Sequence, residues 1–96
     1  MDKRYKEVDE DLASSMRQQL YKDVASGALT VGQAVRVMRR ISHLTQPEFA
    51  KHRGISVQAL KQIEQGTGNP TVATLDKIAS IFGLQVGFVP IRRERV

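Results

Sequence analysis

The chain contains no cysteine among its 96 residues, so neither disulfides nor a thiolate metal site can support its fold. No apolar run approaches the roughly 18 residues of a membrane-spanning helix, and no membrane partner is expected. The opening residues, MDKRYKEVDEDL, are charged throughout and lack the apolar stretch of a secretory leader. Together with the missing cysteine, this makes the cytoplasm the expected location. There is no glycine-rich phosphate loop, no internal repeat and no low-complexity tract. His43 and His52 stand apart from any pattern of metal ligands. Ser14 and Ser15 lack the setting of a nucleophile, and Asp9, Glu10 and Asp11 are more simply charge at a helix N-terminus than a pair of catalytic carboxylates. No enzyme, metal or cofactor is therefore expected.

What is present is one small domain's worth of apolar residues and an excess of positive charge. The hydrophobic fraction of 41% suffices for a modest core. The formal charge is +5, and its placement says more than its sum. The N-terminal arm is locally acidic, whereas Arg36, Arg39, Arg40, Lys51, His52, Arg53 and Lys61 gather around the middle of the chain. A basic domain favours a polyanion, of which nucleic acid is the commonest, although charge alone would also fit an anionic membrane surface.

The periodicity divides the chain into residues 1–29, an arm and an amphipathic helix; 30–84, the central domain; and 85–96, a strand and basic tail. Leu12, Met16, Leu20 and Val24 recur every four residues and predict a helix from Glu10 to about Ser26. Its apolar stripe needs a partner, either the same domain or another chain. Thr30 caps a second helix with Val31, Ala34, Val35 and Met38 on its inner face. Thr45 and Glu48 then form a Thr-x-x-Glu capping box with Pro47 in the first turn. Gly54 can supply a sharp turn, Ser56 caps the next helix, and Leu60 and Ile63 point it inward. After Asn69-Pro70, Thr71 caps a helix burying Leu75, Ile78, Ala79 and Phe82, and Gly83 ends it. Leu84, Val86 and Phe88 alternate with their neighbours and predict a lone strand, limited by Pro90.

The helix opened by Ser56 carries Val57, Gln58, Lys61, Gln62 and Gln65 outside. Gln can pair with adenine, Lys can donate to guanine, and an apolar group can meet a thymine methyl, which fits the major groove. The plainer possibility is a solvated polar face on a small helical bundle.

The run LTQPEFAKHRGISVQALKQIEQGTGNPTVATLDKIASIFGL resembles the Cro/cI-type (XRE) helix-turn-helix family, at Gln46, Phe49, Ala50, Gly54, Ile55, Ser56, Leu60, Ile63, Glu64, Gly66, Asn69-Pro70, Thr74-Leu75 and Ile78-Ala79. The resemblance covers roughly residues 30–84 and implies an all-α fold. The expected architecture is a five-helix lambda-repressor-like DNA-binding domain, with an extra N-terminal helix and a short C-terminal strand. One departure is Arg53, where the family usually has an apolar residue; its stem is expected to cover the core edge with its head toward water or phosphate.

The resemblance implies a repressor, binding a pseudo-palindromic operator in double-stranded DNA as a two-fold homodimer. Gln58, Lys61 and Gln62 would read bases, with Val57 on a methyl. Gln46 would clamp phosphate, and Arg40, Lys51 and Arg53 are further phosphate candidates. Arg39 is expected to pair with Glu64 inside the domain. Val86, Phe88 and Val89 are expected at the dimer interface. A looser resemblance, to HipB-like antitoxins, implies autorepression of a toxin-antitoxin operon and a HipA-like toxin kinase as partner. The alternative class is a protein-interaction module whose main role is to neutralise such a partner.

Overall fold

A computed structural model of the chain describes residues 10–91. Among them are five α-helices, the N-terminal one included: α1 (Glu10–Ser26), α2 (Val31–Ser42), α3 (Gln46–Arg53), α4 (Val57–Gln65) and α5 (Val72–Ala79). A single 3-10 turn, Ser80–Phe82, follows α5. The basic residues after Ile91 and the arm before Glu10, including Asp9 of the acidic cluster, lie outside the described residues.

Each boundary has a local cause. Thr30, Thr45, Ser56 and Thr71 all adopt extended backbone and accept a hydrogen bond from the amide three residues on, which relieves one of the unpaired donors of a helix N-terminus. At Thr45 the cap is reciprocal, because its own amide donates to Glu48 Oε1 at 2.9 Å. Thr30 and Gln33 form a second such box.

The α2 terminus is unusual. His43 closes it in the left-handed region, at φ 58°, without being glycine. His43→Gly should therefore stabilise the chain by about 0.5–1 kcal/mol, the left-handed cost less the entropy of an added glycine. Urea unfolding of the two proteins measures it, and an unchanged midpoint would count against strain at this cap.

The core joins Leu20 of α1, Val35, Met38 and Ile41 of α2, Phe49 of α3, Leu60 and Ile63 of α4, and Ile78 and Phe82 from the C-terminal end. Helix α2 lies at its centre, packed on α1, α3 and α4. The stripe of α1 is covered by its own domain: Leu20 is buried, and Met16 and Val24 are half-buried against the core. Tyr21 Oη donates to the Phe82 carbonyl at 2.9 Å, and the Arg17 guanidinium stands 5.4 Å from the centre of the Phe82 ring. Leu12, at the outer end of the stripe, remains exposed. Val31 is also exposed, being the first residue of α2, and buried Gly32 takes the inner position beside it.

The expected C-terminal strand does not form. Residues 84–91 have no regular secondary structure. The alternation of Leu84, Val86 and Phe88 states a preference that only a second strand can satisfy, and the described chain offers none. The Val86 amide turns instead to Asp76 Oδ1, at 3.0 Å.

Candidate nucleic-acid interface

Helices α3 and α4 are joined by Gly54, Ile55 and Ser56. Gly54 adopts φ 69° and donates to the Lys51 carbonyl, while the Ile55 amide closes onto the Ala50 carbonyl at 3.0 Å. This double closure is the Schellman pattern, which needs a left-handed residue where the helix stops. Phe49 and Ala50 are buried beneath α4, and Ala50 leaves room for the two helices to cross closely.

The inner face of α4 is Leu60, Ile63 and Glu64, all buried. The outer face follows from the helical period. Gln58, Gln62 and Gln65 stand at i, i+4 and i+7 with Lys61 beside them, and all four are exposed. Val57 is half-buried against the core at the edge of this face. Gln62 leans toward the exit loop, since a Cβ at Gly68 would come within 2.8 Å of its Oε1. A ridge of three glutamines and a lysine thus stands proud of the domain, flanked by exposed Lys51 and His52 of α3.

Among the described residues, Glu64 is the one charged side chain that is buried. Arg39 grips its carboxylate with two bonds, Nε to Oε2 at 2.8 Å and Nη2 to Oε1 at 3.0 Å. Gln46 Nε2 donates to the same Oε1 at 3.1 Å. Burial pushes the Glu64 carboxyl up, but the hydrogen bonds from Arg39 and Gln46 and the charges of Arg39 and Arg36 hold it below the ordinary value. Arg39 is held above its own ordinary value by the Glu64 hydrogen bond, against a smaller effect of burial. Arg36 adds a bond from Nη2 to the Glu64 backbone carbonyl. Three elements, α2, α3 and α4, are thereby tied at one carboxylate.

The Arg53 guanidinium lies over the Phe49 ring, 4.2 Å from its centre, with Nε buried and without a hydrogen-bond partner. Burial lowers its pKa. Arg53 therefore serves as a lid on the aromatic core as well as a charge near the surface. Arg40, in the last turn of α2, is exposed.

The links from Gln46 and Arg36 to Glu64 had no signal in sequence. Each joins residues 18 or 28 positions apart and depends on how their helices are stacked. Among the described residues, no group of His, Cys, Asp and Glu could hold a metal ion. No helix among the described residues is long and apolar enough to cross a membrane.

Residues 35–89 match a family model described as Helix-turn-helix. The chain is 34% identical over 61 residues to the immunity repressor protein of Bacillus phage phi105; the match covers 64% of this chain and 42% of that protein. The chain therefore spans less than half the length of that repressor. It is 36% identical over 53 residues to YazB of Bacillus subtilis, an HTH-type transcriptional regulator, across 55% of this chain and 77% of the relative. A second HTH-type regulator, y4dJ of Sinorhizobium fredii, is 41% identical over 54 residues, across 56% of this chain and 70% of the relative. No solved structure matches the chain significantly.

Proposed function

The chain belongs to the Cro/cI-type helix-turn-helix family of DNA-binding transcriptional regulators, and from that premise we propose that it represses transcription as a two-fold dimer on a pseudo-palindromic operator. The observation that carries the reading is the exposed ridge of α4, Gln58, Lys61, Gln62 and Gln65, raised on a helix whose other side is fully buried. Two such ridges related by a two-fold axis would enter successive major grooves about 34 Å apart. Gln58, Lys61 and Gln62 read bases there and Val57 meets a methyl group. Gln46, at the positive end of α3, contacts phosphate while its amide stays on Glu64, and Arg40, Lys51 and Arg53 add charge along the backbone.

The dimer is assigned to the tail. Val86, Phe88 and Val89 are exposed, Phe88 completely so. A second copy of the segment would supply the strand partner that one chain lacks. The same tail would serve an antitoxin that binds a HipA-like kinase. The relatives bear the names of transcriptional regulators and an immunity repressor, which favours the repressor.

The base and phosphate roles separate experimentally. Gln58→Ala should cost about 1–3 kcal/mol on a duplex selected from a random pool, and should relax preference at one base position. Lys51→Ala should weaken selected and scrambled duplexes alike and make the slope of log affinity against log salt shallower by about one unit. Fluorescence anisotropy titrations at several salt concentrations measure both. If Gln58→Ala leaves sequence preference untouched, α4 does not read bases through that residue.

A further inference from the structure

Helix α4 owes its pose to α2, which carries none of the proposed base-reading side chains. Gly32, in the first turn of α2, is buried. A Cβ built there would lie 2.6 Å from the Ile63 carbonyl oxygen and 2.9 Å from that of Glu64. Both are backbone atoms of the last turn of α4, so no side-chain rotation can make room. Gly32 sits in ordinary helical backbone, where alanine has the higher propensity. What glycine supplies is a missing side chain at a helix crossing.

Gly32 does not act alone. Positions 32, 36 and 39 follow one another at i, i+4 and i+7 and fall along one stripe of α2. All three meet the same stretch of α4. Gly32 leaves no room for a Cβ against its backbone, Arg36 Nη2 donates to the Glu64 carbonyl, and Arg39 grips the Glu64 carboxylate. This stripe fixes the depth and rotation of α4 within one turn of Lys61 and Gln62.

We propose that the Gly32–Arg36–Arg39 stripe is a specificity clamp, with Gly32 a positioning residue that sets base preference without touching DNA. The proposal rests on the DNA-binding reading above. A paired hydrogen bond from glutamine to adenine demands both distances at once. Adding a methyl group at Gly32 forces the C-terminal end of α4 away from α2 by several tenths of an ångström and tilts the ridge. Long lysine and arginine side chains follow such a shift on phosphates, whereas paired base contacts do not.

The test uses the full chain. A preferred duplex is selected from a random pool with the unsubstituted protein. Gly32→Ala and Arg36→Gln are then titrated against preferred and scrambled duplexes, with circular dichroism melts giving the folded fraction. Gly32→Ala should lower the ratio of preferred to scrambled affinity about tenfold, and Arg36→Gln several-fold, with scrambled binding kept within about twofold in Gly32→Ala. The ratio cancels any uniform loss of charge or of folded protein. An equal loss on both duplexes, or an unchanged ratio, overturns the clamp. If Gly32→Ala does not fold, Arg36→Gln decides by the same ratio. An unsubstituted chain that selects no duplex overturns the DNA-binding reading and the clamp with it, and that result is distinct from the others.

Discussion

Arg39→Met should destabilise the folded chain by about 3 kcal/mol, the low end of what is lost when one member of a buried ion pair is removed. The low end applies because the Arg39 side chain keeps a quarter of its surface, against 4% for Glu64. The loss comes mainly from what stays behind. Glu64 remains buried with only Gln46 and the more distant Arg36 to oppose its desolvation. Replacing both residues, Arg39→Met with Glu64→Leu, should recover much of the loss, since two apolar side chains leave no stranded charge. Urea unfolding of the four proteins closes a double-mutant cycle, and a coupling near zero would show that the pair contributes nothing.

The same network sets a pH dependence. The folded-state pKa of Glu64 lies below its ordinary 4.5. Its contribution is thus fully present above pH about 4.5 and is lost as pH falls through the depressed folded value. In Arg39→Met the sign reverses: without its main partner, burial dominates and the folded pKa rises. That variant should therefore lose less, relative to the unsubstituted chain, as the medium is acidified. A penalty that stays constant between neutral and acid pH would place the defect elsewhere than at Glu64.

Truncation after Leu84 should reduce affinity for a two-half-site operator by about a hundredfold or more while leaving a single half-site nearly unchanged. The buried core ends at Phe82, and half-buried Leu84 is retained, so the helices should stay folded. What is removed is Val86, Phe88 and Val89, whose exposed apolar surface is the basis for assigning the dimer to the tail. Without the linkage, each half-site binds independently and the gain from effective concentration disappears. Light scattering gives the mass, and gel shifts on whole and half operators give the affinities. A truncated chain that remains a tight dimer would move the interface elsewhere, with the exposed Leu12 end of α1 the first place to look.

Much of the helical framework was legible because its signals are local. The caps at Thr30, Thr45, Ser56 and Thr71 and the glycine stop at Gly66 act within one turn, and the helices begin and end there. The outer face of α4 was legible for the same reason, since period alone separates Gln58 and Gln62 from Leu60 and Ile63. Features that depend on stacking were not. Gly32 carries no signal of its role in sequence, and only the stacking shows it to be a place where two helices meet. Arg53 looked like a charge aimed outward, yet its guanidinium lies on Phe49. The strand failed for a different reason: alternation describes a surface, and a strand also requires a neighbour.

The hydrogen bond from Tyr21 to the Phe82 carbonyl joins residues 61 positions apart, and it bears on the order in which the domain assembles. Helices α3 and α4 meet across a three-residue turn, so their pairing closes almost no loop. The Tyr21 contact closes a loop of most of the domain, at a correspondingly higher entropic cost. Contacts of that kind are expected to form after the folding barrier has been crossed and to act chiefly on the rate at which the chain comes apart. The strap from α1 to the 3-10 turn after α5 is thus expected to lengthen the lifetime of a domain whose α3–α4 pair can form before the strap closes.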